Sequence, residues 1–317
     1  MRILIVGAGS VGQLYGYHLA RGGAEVDVYV RPRYTDHARQ GYRLYDRSQG
    51  YDSTLIFEPQ TALSSIDELR DYTCDRVLFC IPSTGLRGPW LGPFLETFDD
   101  STGVISLLPG LDDRDHINQW IPDDRLGTGL ITAVAYPAPL PGESLDHDAT
   151  AFWLPPLTPA LFSGPRPLLS PLISHLNDGG MRAKIDDNTP ALAAFGSAFL
   201  MSFIATLETL DWSLERLKKT RDHRRQVTDT ANEIMAIVAA TVDARPPMSM
   251  KLLGPTAIRG ALSAAPMVTP FDLETYLRVH FTKVGDQTRL FFRDYIDKGA
   301  HLGLQTTHCE RLLAALD

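Results

Sequence analysis

The chain is poor in cysteine. Its 317 residues include only Cys74, Cys80 and Cys309, and the spacing of these cysteines matches no metal-binding motif. Such cysteine usage is typical of a reducing compartment, so we expect a cytoplasmic protein without disulfide bonds. The nine histidines contain no HxH or HxxxH pair. The sequence therefore predicts no metal site.

Positive charge is also scarce. Asp and Glu number 38 against 30 Lys and Arg, which gives a formal net charge of −8. Nucleic acids and anionic membrane surfaces need a basic stripe on their protein partner, and an acidic chain of this kind does not favour one. We therefore expect a small-molecule substrate, and no nucleic-acid or membrane partner.

Long hydrophobic runs are missing as well. The most apolar segment, residues 192–207, has 16 residues including two serines, whereas a membrane-spanning helix needs roughly 20. It is apolar nearly all round, which requires burial on every side. Three interpretations stay open: a core helix, an apolar wall of the substrate pocket, or the interface of a homodimer through the helical domain.

Short β-branched runs alternate with helical patterns in the first half, which is typical of a parallel sheet covered by helices. The predicted strands are 2–6, 25–30, 76–81, 103–107 and 129–135, with an inserted hairpin at 42–45 and 54–57. Two more, at 151–154 and 160–162, would complete the edge of the sheet, and 181–185 is predicted as a last strand. Helical periodicities follow after Asp186. We predict an α/β fold: a Rossmann-type doubly wound domain over 1–183 and an all-α domain over 184–317.

A glycine-rich loop follows the first predicted strand. Gly7, Gly9 and Gly12 form GxGxxG between that strand and a predicted helix at 11–21. The first glycine permits the tight turn, the second lets the backbone approach a pyrophosphate, and the third allows close helix–strand packing. The amides of Ser10 and Val11 at the helix start are then expected to bind the phosphates. The loop predicts a dinucleotide site.

The end of the second strand selects the coenzyme. A carboxylate there binds the ribose hydroxyls of NAD, whereas an arginine favours the 2′-phosphate of NADP. The sequence VYVRPR places Arg31 at this position, with Arg33 as a second donor, so we predict NADP(H). The alternative for Arg31 is a solvated charge at a strand end. Ser83 and Pro109, which follow the strands at 76–81 and 103–107, complete the predicted cofactor-binding set.

These features resemble those of the ketopantoate reductase (2-dehydropantoate 2-reductase) family. The likeness lies in GAGSVGQLYGYHLARGG, in VYVRP, in the hairpin insertion, and in a Rossmann half followed by a helical half. It implies reduction of a 2-keto acid with NADPH, under a helical domain that closes over the nicotinamide. The chain is identified as a divergent member, because the family's usual catalytic lysine and asparagines are replaced by CIPST (80–84), Pro109-Gly110 and ALAAFGSAF (191–199).

Candidate catalytic residues come from YLRVHFTKVGDQTRLFFRDY, residues 276–295, which we predict as one long helix after Pro270. At 100° per residue, one face of this helix carries a mixed aromatic and polar set: Tyr276, His280, Lys283, Val284, Gln287 and Phe291. Reduction of a carbonyl needs a proton donor or a fixed positive charge near the developing oxyanion. We predict that Lys283 polarises or protonates the substrate, with His280 as the alternative acid and Gln287 as an orienting partner.

The alternative is structural: His280 and Gln287 would be satisfied polar groups at a helix interface, and Lys283 would reach solvent. Together the sequence predicts an NADPH-dependent oxidoreductase that acts on a small keto acid, another carbonyl or an imine. The competing hypothesis is a catalytically silent protein that binds NADP(H) as a sensor.

Overall fold

The computed structural model describes residues 1–51, 54–145 and 147–317. The chain divides into two compact units. The first comprises residues 1–108 and 113–190, and the second comprises residues 109–112 and 191–317. The boundary predicted after residue 183 falls at the start of a strand that lies wholly in the first unit.

The first unit contains two sheets. Its strands are β1 (Arg2–Val6), β2 (Glu25–Tyr29), β3 (Tyr42–Asp46), β4 (Leu55–Phe57), β5 (Ala62–Leu63), β6 (Arg76–Phe79), β7 (Gly103–Ser106), β8 (Leu126–Leu130), β9 (Val134–Ala138), β10 (Ala149–Trp153), β11 (Ala160–Ser163) and β12 (Ala183–Ile185). Its helices are α1 (Ser10–Arg21), α2 (Thr35–Arg39), α3 (Ser83–Leu86), α4 (Leu91–Leu95), α5 (Asp113–Asn118) and α6 (Arg166–Asp178). Short 3₁₀ turns lie at Pro32–Tyr34, Asp67–Leu69 and Asp123–Arg125.

The main sheet has the order β12-β11-β8-β7-β6-β1-β2-β5. Six neighbouring strands from β5 to β8 are parallel, whereas β11 runs antiparallel to β8. Because β1 lies in the middle, the chain winds outward from it in both directions, which confirms the predicted doubly wound sheet. The two-residue edge strand β5 was not predicted, since a segment that short carries no periodic signal.

The two faces of the main sheet bury separate hydrophobic cores. Along β1, Ile3 and Ile5 pack into one core, and Leu4 and Val6 pack into the other. This alternation follows from the two-residue period of a strand. Continuous apolar runs such as RILIV are therefore typical of a strand that is covered on both faces.

A second, four-stranded sheet has the order β4-β3-β10-β9. The predicted hairpin is confirmed by the antiparallel pairing of Tyr42 with Phe57; Asp52 and Ser53 in its turn lie outside the described residues. The expectation that 151–154 finishes the main sheet is wrong. That segment belongs to β10, which pairs with β3 through Ala151 and Tyr45, and about a hundred residues separate these two partners.

The predicted strand at 129–135 is also wrong in its boundaries, because the chain forms β8 and β9 there and they belong to different sheets. Two of the five residues of β8 are glycines, and glycine has a low strand propensity, so the sequence pattern does not predict this strand correctly. Both glycines have close neighbours: a Cβ on Gly129 would lie 2.5 Å from Leu107 and 2.7 Å from Phe162, and one on Gly127 would lie 3.0 Å from Leu169, so these side chains would have to shift.

The first helix, α1, packs closely against α6. Each helix ends at a glycine, Gly22 or Gly179, and a Cβ on either would overlap a carbonyl oxygen of the other helix. Two histidine rings contact the carbonyl groups of these two glycines. His18 Nδ1 lies 2.9 Å from the Gly179 carbonyl oxygen, and His175 Nδ1 lies 2.7 Å from the Gly22 carbonyl oxygen. These reciprocal contacts fix the C-terminal end of the helix that follows the glycine loop.

Helices dominate the second unit: α7 (Thr189–Thr209), α8 (Leu214–Lys219), α9 (Arg221–Val242), α10 (Met248–Lys251), α11 (Pro255–Val268), α12 (Leu273–Lys283), α13 (Gly285–Leu302) and α14 (Thr307–Ala314). Its core gathers apolar residues from α7, α9, α13 and α14, among them Phe195, Ile234, Phe292 and Leu312. This confirms the predicted helical region after the sheet.

One of these helices, α7, is longer than the 16 apolar residues that the sequence suggested. In the part of the chain that the structure describes, it is the one helix long and apolar enough to cross a membrane, by length and composition only. Of its most apolar 18-residue window, 61% is buried within the protein, which fits the core-helix interpretation. The homodimer and the cytoplasmic location stay predictions.

Candidate functional site

The glycine loop connects β1 to α1, and two of its glycines are required by packing. Gly7 has a φ of +91°, and a Cβ there would lie 2.5 Å from Ile81 Cγ2 and 3.1 Å from the Cys80 carbonyl oxygen. A Cβ on Gly12 would overlap the carbonyl oxygen of Gly7. These two positions therefore accept only glycine because the chain itself occupies the space.

Gly9 differs from its two neighbours, because a Cβ there would meet no atom within 4 Å. Its φ of −71° and ψ of −174° are extended values that any residue adopts. The fold therefore does not require glycine at this position. A ligand that approaches the backbone closely would require it, which is the role that the motif assigns to the second glycine.

The N-terminus of α1 offers free amides beside this open face. The first helical hydrogen bond runs from Gln13 N to the Gly9 carbonyl at 2.9 Å, so the N–H groups of Ser10, Val11 and Gly12 lie outside the helical ladder. Among the described residues no side chain caps α1, and its first turn contains no acidic residue. Such a helix start attracts an anion through its amides and its dipole.

Arg31 lies next to the loop at the end of β2. Gly7 N donates to the Tyr29 carbonyl at 2.9 Å, which holds the start of the loop against the last residue of that strand. Arg31 follows two residues later and is exposed. Arg33 is also exposed and stacks on the Tyr34 ring at 4.7 Å. Neither arginine forms an ion pair with a carboxylate of the described residues.

Asp27, the carboxylate of β2, is fully buried. It accepts hydrogen bonds from Arg2 Nε at 2.7 Å and from Tyr72 Oη at 2.8 Å. The charged guanidinium of Arg2 offsets the cost of burying this carboxylate. Asp27 therefore lies in the interior of the sheet, and the chain after the end of β2 carries Arg31.

Ser83 is placed at the start of α3, directly after β6, but it is fully buried. Its hydroxyl donates to Asp113 Oδ2 at 2.5 Å, and Arg87 forms an ion pair with Asp113 Oδ1 at 3.1 Å. The side chain of Ser83 thus ties α3 to the start of α5. The exposed neighbours Pro82 and Thr84 offer surface at this point of the sheet edge.

Pro109 is half-buried and belongs to the second unit, as part of the segment 109–112. Within that unit, Asp112 of the same segment forms an ion pair with Lys298 of α13 at 2.5 Å. The structure thus brings Gly7, Gly9, Ser10, Val11, Gly12 and Arg31 together at one edge of the main sheet. It places Pro109 in the other unit, together with all three predicted catalytic residues.

The predicted single helix over 276–295 is wrong. The chain forms α12 and α13, which are separated at Val284, where φ is −114° and ψ is 24°. Gly285 follows, and its low helix propensity favours the break. The six residues from Tyr276 to Phe291 therefore do not share one continuous helix face. Tyr276 and His280 stay one turn apart in α12, with their rings 5.4 Å apart.

His280 and Lys283 occupy the last turn and a half of α12. The His280 ring packs against Phe281 at 4.8 Å, and burial, assisted by the positive charge of Lys283, lowers the pKa of His280 to about 4. Lys283 itself is exposed at the end of the helix. Gln287 is half-buried in the first turn of α13, where its backbone N–H donates to the Val284 carbonyl at 2.9 Å.

Sequence reasoning missed two polar residues behind the glycine loop. Gln13 Nε2 donates to the Ala8 carbonyl at 2.9 Å, and Thr150 Oγ1 of β10 donates to Gln13 Oε1 at 2.6 Å. The position of Gln13 directly after the last glycine of the motif could have identified it from the sequence. No sequence pattern could have identified Thr150, because its contact with Gln13 depends on how the second sheet forms. Among the described residues, no group of three or more His, Cys, Asp or Glu side chains could hold a metal ion.

Comparison with known proteins gives a family match for the first half of the chain. Residues 3–155 match the family described as ketopantoate reductase PanE/ApbA. No curated protein matches the chain.

Solved structures share the fold over nearly the whole length. A ternary structure of D-mandelate dehydrogenase with NADH and anilino(oxo)acetate has a TM-score of 0.75 at 15% identity, and covers 100% of this chain and 97% of that one. A PanE/ApbA family ketopantoate reductase from Ralstonia eutropha JMP134 has a TM-score of 0.74 at 20% identity, with the same coverage. For 2-dehydropantoate 2-reductase from Methylococcus capsulatus the values are 0.73 and 18%, with 99% and 95% covered.

Proposed function

We propose that this chain, whose residues 3–155 match the ketopantoate reductase family, is an NADPH-dependent oxidoreductase that reduces a small keto acid, another carbonyl or an imine. The observation that carries the proposal is the open face of Gly9 beside three amides outside the helical ladder of α1. A glycine that the fold does not need, at a helix start without a cap, is explained by a bound pyrophosphate.

The residues present fit a dinucleotide. Ser10, Val11 and Gly12 would donate their backbone N–H groups to the pyrophosphate, and the α1 dipole would favour its negative charge. When bound, NADPH supplies the hydride for the reduction. The first unit would bind and orient the coenzyme. No charged side chain is needed at the loop, because the backbone amides would bind the pyrophosphate.

Arg31 supports the choice of NADPH over NADH. Arginine binds a phosphate through a planar array of donors, and the exposed guanidinium at the end of β2 has no ion-pair partner among the described residues. Arg33 supplies a second cation two residues later. The D-mandelate dehydrogenase structure named above contains NADH, so the preference between the two coenzymes is the part of the proposal to test first.

Lys283 is our candidate for the group that stabilises the developing charge on the substrate. With a pKa of about 4, His280 is neutral at pH 7 and holds no proton on its second nitrogen to give. This favours Lys283, at the exposed end of α12, over His280 as the acid. Gln287, in the first turn of α13, would orient the substrate by a hydrogen bond.

A second function, a silent NADP(H) sensor, is supported by the residues that replace the family's usual catalytic ones. Ser83 and its neighbours follow β6 without a lysine, and Ser83 itself is buried against Asp113. The N-terminal half of α7 contains no lysine or asparagine. A chain that kept the coenzyme site and lost the acid would bind NADPH and release it unchanged.

Turnover separates the two functions. The protein would be incubated with NADPH and a panel of keto acids, aldehydes and imines, and oxidation followed at the absorbance band of reduced nicotinamide. An enzyme oxidises NADPH with at least one substrate class, whereas a sensor binds NADPH tightly and oxidises none.

Lys283→Met then tests the assigned acid, with Arg278→Met on the same helix as the control, since Arg278 is also exposed. Loss of a general acid lowers kcat by about a hundredfold or more, while the control keeps its rate. Equal rates for Lys283→Met and the native protein would remove Lys283 from the mechanism.

A further inference from the structure

We propose that Gln13 and Thr150 are positioning residues that set the orientation of the glycine loop for the dinucleotide. The inference rests on the proposed function, because it concerns the same coenzyme site. It assigns a role to the second sheet, whose strand β10 carries Thr150. Neither residue would touch the coenzyme through its side chain; both would act through the backbone of Ala8 and Gly9.

The contacts form a chain with one possible direction. The Ala8 carbonyl can only accept, so the group of Gln13 that reaches it at 2.9 Å must be the amide nitrogen Nε2. Gln13 Oε1 is then an acceptor, and Thr150 Oγ1 donates to it at 2.6 Å. Thr150 Oγ1 also has a longer contact of 3.5 Å with Ser10 Oγ at the start of α1. Each partner thus fixes the orientation of the next, from β10 to the loop.

These hydrogen bonds restrict the Ala8–Gly9 peptide of the loop. A glycine at position 9 permits many backbone conformations, and no atom packs against its open face. The Gly9 carbonyl is held by Gln13 N at 2.9 Å. The hydrogen bond from Gln13 fixes the direction of the Ala8 carbonyl. Because a trans peptide is planar with its C=O and N–H antiparallel, the Gly9 N–H then points away from Gln13. An amide with a fixed direction is a stronger phosphate ligand than one that must be ordered on binding.

Thr150 is a firm anchor for this contact. It is 3% exposed, and its strand is paired on both sides, with Leu44 of β3 and with Pro137 of β9. Central strands of a sheet move less than loops. The second sheet therefore holds the Gln13 side chain through Thr150, while the face of the loop at Gly9 stays open.

Thr150→Val tests the role, because valine keeps the shape and removes the hydroxyl. Loss of this hydrogen bond leaves Gln13 Oε1 without its donor and frees the Ala8–Gly9 peptide. We expect Kd for NADPH to rise about tenfold. In turnover assays KM for NADPH rises while kcat at saturating NADPH is unchanged, since the reacting groups are untouched. Thr150→Ser restores the donor and is expected to restore Kd.

Thr102→Val is the matched control. Thr102 is also 3% exposed, and its hydroxyl donates one hydrogen bond, to the Cys74 carbonyl at 2.9 Å. It precedes β7, at the opposite edge of the parallel strands from the glycine loop. Both valine variants are expected to lower the stability of the coenzyme-free protein by similar amounts. Only Thr150→Val is expected to weaken NADPH binding.

Gln13→Leu and the double variant complete the test. If Gln13 and Thr150 act through one chain of hydrogen bonds, Gln13→Leu with Thr150→Val weakens NADPH binding no more than Gln13→Leu alone. Unchanged Kd for Thr150→Val, beside tight binding by the native protein, would overturn the positioning role and leave the proposed function standing. No NADPH binding by the native protein would overturn the proposed function and this inference together.

Discussion

Substitution of Gly9 by alanine is expected to weaken NADPH binding strongly while it changes the free energy of unfolding of the coenzyme-free protein only slightly. The added Cβ meets no atom within 4 Å, and the backbone at φ −71° and ψ −174° suits alanine. Alanine lowers the entropy of the unfolded chain, worth about 0.4–1 kcal/mol, but is a poorer N-cap than glycine by a comparable amount. The free energy of unfolding without coenzyme is therefore expected to change by less than about 1 kcal/mol.

Binding is expected to respond far more strongly. The Cβ occupies the space where a pyrophosphate would approach the backbone, and hydrogen bonds from amides to a charged group are worth about 1.5–3 kcal/mol each. Loss of two such bonds raises Kd roughly a hundredfold or more. NADPH at 100 times the native Kd stabilises the native protein by about 2.7 kcal/mol, and at the same concentration it would stabilise the variant by only about 0.4 kcal/mol.

The assay is thermal or urea unfolding with and without NADPH. Gly254→Ala is the matched control, because Gly254 also precedes a helix, α11, with a φ of −85° and a ψ of 175°, and a Cβ there also meets nothing within 4 Å. The control is expected to retain the full stabilisation by NADPH. If Gly9→Ala retained it too, the open face of Gly9 would not be a phosphate site.

Three further predictions concern other parts of the chain. Arg31→Ala is expected to raise Kd for NADPH about tenfold or more and to leave Kd for NADH unchanged, as measured by fluorescence titration. Gly22→Ala forces a Cβ into the His175 carbonyl oxygen, so we expect the free energy of unfolding to fall by about 3 kcal/mol. His280 has a pKa of about 4, below its unfolded value near 6.5, so its neutral form is favoured in the fold. The free energy of unfolding is therefore highest above about pH 6.5 and decreases as the pH falls toward 4. Between pH 7 and pH 5 the decrease is about 2 kcal/mol. His280→Phe is expected to remove this pH dependence, as measured by urea titrations at several pH values.

Local signals in the sequence were sufficient for the dinucleotide half of the site. The strand before Gly7 and the helix after Gly9 were predicted within one residue of β1 and α1, because burial on both faces of a strand and the helix period leave clear patterns. The same patterns do not report which strands pair. The contact of Ala151 with Tyr45, which builds the second sheet, depends on residues far apart in the chain.

The candidate catalytic residues were the least predictable part. A helical wheel assumes an unbroken helix, and one residue in a non-helical conformation, Val284, separates His280 from Gln287. The burial of Ser83 by Asp113 likewise depends on a contact between residues that are thirty positions apart. The link from Thr150 to Gln13 was invisible for the same reason.

The central claim is that the glycine loop and Arg31 form a binding site for a 2′-phosphorylated dinucleotide. Its most direct test is a calorimetric titration of the native protein with NADPH and with NADH at one fixed ionic strength. The account predicts one NADPH per chain, bound at least about tenfold more tightly than NADH, since the extra phosphate contact is charge-assisted. Equal affinities would contradict the role of Arg31, and no binding of either coenzyme would contradict the account as a whole.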